Sequence, residues 1–323
     1  MGHKQGRYAR RVSLGSLDLN LLVALDALLQ ERSVTRAAAQ MGLSQPALSA
    51  SLARLRRHFG DELLTRVGND YRLTPLAVQL KERVRIALSG VERVFTAQPE
   101  FDPESERREF SLLVSDYMVA VLGDTVARVL AAEAPRCRLR YLSNTPERVD
   151  RAEQVLISTD LLVMPHGFVT DVSHRDLYRD DWVCVVSADN AAVGDELTLQ
   201  QLGAMPWVVT FHGPTASTPA GRQLRTLGIE PQVQVVTESF LTVPSLVAGT
   251  ERIGLLQRRL VDLLPLDTGI RALPPPFDAA PLIEAMWWHP MYDADPGHRY
   301  LRDLVSRAAR DISVVDDGSE GMG

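Results

Sequence analysis

Residues 33–60 constrain the fold more than any other part of this chain. The run Ser33-Val34-Thr35-Arg36-Ala37-Ala38-Ala39-Gln40 reads as a short helix, with Ser33 placed to accept a hydrogen bond from an otherwise unpaired N–H of its first turn. Gly42 supplies a left-handed residue at its end. Ser44 then caps a second helix, and Pro46 falls in the first turn, where a missing N–H costs little. Leu48, Leu52, Leu55 and Phe59 recur at helical spacing and predict a buried face. Gln45, Ser49, Arg54, Arg56 and Arg57 are left for the outside. Small residues at 37–39 let the two helices approach closely. A helical hairpin with a basic face would share this pattern, but a helix-turn-helix whose second helix enters a DNA major groove accounts for all of it.

Residues 61–95 narrow the choice. Leu63-Leu64-Thr65-Arg66-Val67 and Tyr71-Arg72-Leu73 flank a Gly68-Asn69-Asp70 turn, the pattern of a hairpin wing. Thr74-Pro75 opens a new helix. In it Leu76, Leu80, Val84, Ala87, Val91 and Phe95 are spaced three or four apart, while Lys81, Arg83, Arg85 and Arg93 fall outside that seam. Such a stripe predicts pairing with the same helix of a second copy, the alternative being packing on its own domain. Charge divides along the same line. Residues 1–95 hold 15 Lys/Arg and 8 Asp/Glu, the remainder 20 and 33, so a basic head precedes an acidic body. Only the head is suited to displacing counterions from phosphate. Residues 1–16, with Lys4, Arg7, Arg10 and Arg11 and no apolar periodicity, read as a mobile basic arm, either a phosphate contact or a plain disordered tail.

Ser33, Ala37-Ala38, Ser44-Gln45-Pro46-Ala47-Leu48-Ser49, Gly60-Asp61-Glu62-Leu63-Leu64, Arg66 and Leu73-Thr74-Pro75 together resemble the LysR-type transcriptional regulators. The Phe59-to-Leu64 variant and the stretch from Trp288 to Pro296 are similar to the subgroup that contains the nodulation and naphthalene/salicylate regulators. The resemblance implies an α/β chain with an N-terminal all-α winged helix-turn-helix domain and a C-terminal periplasmic-binding-protein-like, two-subdomain effector-binding domain. Its boundaries are 17–74 for the DNA-binding domain, 75–95 for a dimerisation helix, 96–108 for a hinge and 109–312 for the effector-binding domain. Subdomain I takes about 109–178 and 279–312, subdomain II about 179–278. It implies a homodimer or a dimer of dimers (a homotetramer) on double-stranded promoter DNA, with RNA polymerase as a further partner that the resemblance allows.

Matched position by position, the DNA-binding residues are Ser33, Thr35, Arg36, Ser44, Gln45, Pro46, Ala47, Ser49, Arg54 and Arg66. Gln45 carries an amide suited to a bidentate contact with adenine. Thr35, Arg36 and Arg66 are placed to hold phosphate. Ala50 stands where many family members carry Arg, so specificity is expected to lean on Gln45 and on DNA shape.

From Glu109 the pattern turns to strand–helix alternation, which predicts α/β units on largely parallel sheets. Strand ends offer candidate effector contacts: Ser115, Asn144, Thr145 and Met164 from one subdomain, Phe211, His212, Thr215 and Phe240 from the other. Aromatic packing with a few hydrogen bonds suits a small aromatic acid or a polyphenol. A last amphipathic helix is expected over 297–310, with a disordered acidic tail from Asp316.

Catalytic signatures do not emerge. There is no CxxC, HExxH, phosphate loop or G-x-S-x-G elbow. His166, His174, His212, His289 and His298 show no metal spacing in sequence, and Asp180-Asp181 and Asp293/Asp295 read as loop charges or caps. No enzyme activity, no metal and no cofactor beyond a small-molecule co-inducer are expected. Cys137 and Cys184 are expected to be free, buried thiols. No apolar run is long enough to span a membrane and no signal-peptide core is present, so a cytoplasmic protein with no membrane partner is expected.

Overall fold

The structure, a computed structural model, describes residues 18–68, 70–96, 100–170, 172–210 and 218–319. It divides into two compact units, Met1–Ala97 and Gln98–Gly323.

In the first unit, helices α1 (Leu19–Glu31), α2 (Val34–Gln40) and α3 (Gln45–Phe59) precede a hairpin of β1 (Leu64–Val67) and β2 (Asp70–Leu73), then α4 (Pro75–Thr96). The caps are made by short polar side chains. Asp18 accepts from the Asn20 N–H, Ser33 from Arg36 and Ser44 from Ala47. Gly42 and Gly60 take positive φ, both 64°, where the chain leaves α2 and α3. Leu25, Leu28, Leu29, Leu48, Leu52 and Leu55 form the core with Ala37 and Ala38. Each leucine removed from water contributes roughly 2 kcal/mol.

The seam expected on α4 is divided. Val84 is buried, and Leu80, Ala77 and Leu88 pack with it onto the leucines of the same unit, while Ala87 is exposed. The three-helix core is otherwise open on that side, so part of the stripe covers its own domain. Val78, Val94 and Phe95 are large apolar side chains that α4 leaves exposed.

The second unit holds two five-stranded sheets. The first has the order β4-β3-β5-β12-β6, from Arg138–Ser143, Glu109–Val114, Leu161–Pro165, Leu282–Trp288 and Ser173–Asp180. The second has the order β11-β7-β10-β8-β9, from Ile270–Leu273, Trp182–Ser187, Ile253–Gln257, Pro206–Thr210 and Gln232–Thr237. Largely parallel sheets were expected, but each is mixed. β3 pairs in parallel with β4 and β5, and β8 with β9 and β10, whereas β6, β7, β11 and β12 pair antiparallel to their neighbours. The chain passes between lobes twice, so β7 and β12 enter against the direction of the βα units. The first passage is Asp181, between β6 and β7; the second lies between β11 and β12.

Within the stretch 96–108, expected to be a hinge, two residues pack into the second unit. Phe101 packs on Phe110 and Tyr300, and Arg108 is paired to Asp160 and Asp295 at 3.0 Å each, so both belong to the second unit's framework. Burial lowers the proton affinity of that guanidinium, but the two carboxylates outweigh it and hold it charged. The last helix runs Pro296–Ser319, past the tail start expected at Asp316. Cys137 and Cys184 are both free thiols; Cys184 is buried, which pushes its pKa up to about 12, and Cys137 is half-buried.

Candidate functional site

Two surfaces carry the sequence candidates. On the first unit, Thr35, Arg36, Ser44, Gln45, Pro46, Ala47, Ser49 and Arg54 are all exposed along α2 and α3, and Ser33 is half-buried at its cap. Three of the cations are held. Arg36 pairs with Glu31 at 3.0 Å, Arg54 with Asp18 at 3.1 Å, and the Arg66 Nε donates to the Gly68 carbonyl at 3.1 Å. Arg56 is used inside the unit, donating to the Glu62 and Leu64 carbonyls and so tying α3 to the wing. Asp61 ties the wing's other end: its Oδ1 accepts from the Leu63 N–H and the Thr74 hydroxyl, both at 2.6 Å. Thr74 Oγ1 in turn accepts from the Ala77 N–H at the start of α4. Leu63 is held at φ 60°, a conformation leucine rarely adopts, between these anchors.

On the second unit, a cavity opens where the two sheets meet. Ser115, Asn144, Met164 and Phe240 line it, in keeping with their places at strand ends; Thr145 does not, and caps the helix Pro146–Val149 without a side-chain bond. Phe211, His212 and Thr215 lie outside the described residues. Ser115 is not an open anion site: its hydroxyl accepts from the Met118 N–H, and Asp116 occupies the same turn. The Asp116 carboxylate reaches the other lobe, accepting from the Ser239 hydroxyl at 2.6 Å and from the Phe240 and Leu241 N–H groups at 3.1 Å.

The floor of this cavity falls outside the residues that the sequence singles out. Tyr117, Trp182, Gln257 and Glu284 line it. Glu284 is 3 % exposed, and its Oε2, the Trp182 Nε1 and the Gln257 Oε1 are buried without a hydrogen-bond partner among the described residues. Burial, with the charge of Asp180 added, pushes the Glu284 carboxyl up to about 8. At neutral pH it is a neutral acid. Asp180, expected to be a loop charge, is 4 % exposed, accepts from the Tyr117 hydroxyl at 2.6 Å and is also raised by burial. No Lys, Arg or His is among the described lining residues; Arg222 stacks its guanidinium 4.5 Å above the Phe168 ring that forms part of the wall.

A signal for Glu284 was available: one carboxylate inside the apolar run Leu282–Trp288. The β12 register slips between Glu284 and Ala285, pairing them with Tyr178 and Asp176, so the bulge re-aims this stretch at the cavity. Nothing in the local pattern pointed to Gln257, because β10 is a short apolar run that periodicity does not distinguish. His166, His174 and Asp176, unremarkable in sequence, are adjacent in space on the first sheet. Asp295 pairs with Arg108, and Asp293 accepts from the Trp288 indole, so neither is a solvated pair.

Comparison with known proteins agrees with both halves. Residues 19–78 match the model of the bacterial regulatory helix-turn-helix protein, lysR family, and residues 103–310 the LysR substrate binding domain. Nodulation protein D 2 of Rhizobium tropici is 34% identical over 296 residues, covering 91% of this chain and 93% of that protein. Nodulation protein D 3 of Rhizobium leguminosarum bv. phaseoli is 35% identical, covering 91% and 98%. Among solved structures, PA0477 of Pseudomonas aeruginosa superposes with a TM-score of 0.68 at 26% identity, covering 90% and 97%. CbnR, solved in complex with its target DNA, shares the fold with a TM-score of 0.65 at 14% identity, covering 90% of this chain and all of that one. No described helix is long and apolar enough to cross a membrane. The chain belongs to the LysR family: it is a DNA-binding transcriptional regulator with an effector-binding domain, not an enzyme.

Proposed function

We propose that this regulator reads its operator with the exposed N-terminal half of α3, as a homodimer or dimer of dimers, and is gated by an uncharged polyphenol in the cavity between the lobes. Gln45 is the base-reading residue; Thr35, Arg36, Arg54 and Arg66 hold phosphate, and the ion pairs of Arg36 and Arg54 orient them before DNA arrives. The exposed part of the α4 stripe, with Leu76, Ala87 and Val91, is the contact between copies.

The observation that carries the effector reading is Glu284. An aromatic carboxylate placed there would meet the Asp150 carboxylate and, among the described lining residues, no cation. A hydroxylated aromatic meets instead a neutral carboxylic acid, an indole donor and an amide acceptor, each lacking a partner, between the rings of Tyr117, Trp182 and Phe240. Titration calorimetry of the purified protein against matched pairs of aromatic carboxylates and phenols tests this. Binding of phenols alone supports the reading; preferential binding of the carboxylates overturns it. Footprints on the upstream intergenic DNA, with and without the bound phenol, test gating, and an unchanged footprint counts against it.

A further inference from the structure

We propose that His166, His174 and Asp176 form a binding site for a divalent transition-metal ion of the zinc class, outside the effector cavity. The ligand atoms of the three side chains all lie within 4.8 Å of one another. His174 and Asp176 sit two apart on β6, so they share one face of the sheet. His166 comes directly after β5, and its Nε2 lies 2.7 Å from Asp176 Oδ1.

The chemistry of the donor set selects the ion. Two imidazole nitrogens and one carboxylate oxygen suit zinc and its borderline neighbours, and are a poor match for magnesium or calcium. Metal–ligand bonds of about 2.0–2.2 Å in a tetrahedron put ligand atoms roughly 3.4 Å apart. Small rotations of these side chains reach that spacing, because the His166 and Asp176 side chains are 41% and 61% exposed and have room to turn. Three protein ligands leave a fourth position to water.

A single indole orients both imidazoles. Trp287 on β12 stacks on His174 at 4.7 Å and meets the edge of His166 at 5.1 Å, while its own N–H donates to the Met164 carbonyl. His166 also stands directly after Pro165 and two residues before Phe168, and both of those line the effector cavity. An ion here fastens that wall to β6, the edge strand that leads into the first passage between the lobes.

The full-length protein, stripped with chelator and desalted, is dialysed against zinc and assayed by elemental analysis, with cobalt(II) as a visible-absorbing probe. About one equivalent per chain is expected at micromolar zinc, with a cobalt d–d band. His174→Ala and Asp176→Asn each weaken binding at least ~10-fold and remove that band, with circular dichroism unchanged. Should either variant fail to fold, the other carries the comparison. Failure of the wild type to bind zinc, or the same stoichiometry and affinity in the folded variants, overturns the site and leaves His166–Asp176 an ordinary hydrogen bond. None of these outcomes depends on the nature of the effector.

Discussion

Replacing Glu284 by glutamine isolates one buried, unpartnered carboxyl of the effector-binding unit. In the unfolded chain its carboxyl ionises near its ordinary value of 4.5; in the folded protein burial holds the proton to about 8. Between those values the folded state keeps a proton that the unfolded state has lost, so stability from this group is complete below about pH 4.5 and falls as pH rises. One unit of separation is worth about 1.4 kcal/mol, and integrating from roughly pH 5 to pH 7 gives a loss of about 2.5 kcal/mol. Glu284→Gln keeps the shape and removes the titration. Urea unfolding followed by tryptophan fluorescence reads the right unit, because all four tryptophans, Trp182, Trp207, Trp287 and Trp288, lie in it. The wild-type midpoint is expected to fall relative to the variant across that range. Profiles that stay parallel within ~0.5 kcal/mol would show that the carboxyl is solvated and ionised, and would remove the basis for an uncharged effector.

On the acid side the sign reverses: burial pushes His298 down to about 4, with its Nε2 donating to the Asp160 carbonyl at 2.8 Å, so stability is lost as pH drops from about 6.5 toward 4, and His298→Gln should flatten that limb in the same assay. Gln45→Ala is expected to weaken operator binding by about 1–3 kcal/mol in gel shift while sedimentation shows the same oligomer; unchanged selectivity would remove Gln45 from base reading. Asp116→Ala removes three hydrogen bonds between lobes, and amide exchange at 239–243 should speed up by an amount equivalent to about 2 kcal/mol; exchange at the wild-type rate would mean the lobes do not depend on that carboxylate.

The DNA-binding unit was legible in the chain because its determinants are local. Ser33 and Ser44 cap within three residues of themselves, Gly42 and Gly60 end helices, and Leu48, Leu52 and Leu55 repeat along one helix. The α/β alternation was legible for the same reason, and Ser115, Asn144, Met164 and Phe240 reach the cavity because strand ends meet a cleft. What escaped was set by long-range pairing. Whether Leu80 and Val84 face a partner or α1 depends on how much core the short helices leave open. The antiparallel strands exist only because the chain passes twice between sheets. Glu284 finds Asp180, and His166 finds His174, only once β12 is laid between β5 and β6.

The double passage bears on how the second unit could move. Trp182 begins the strand after the first passage, and Leu282 and Glu284 begin the strand after the second; all three form the cavity floor. A guest resting there would touch the strands that follow both passages. On the proposed reading, such a guest would be a shim beneath an axle, bearing on the angle between the lobes by its thickness rather than by pulling their rims together.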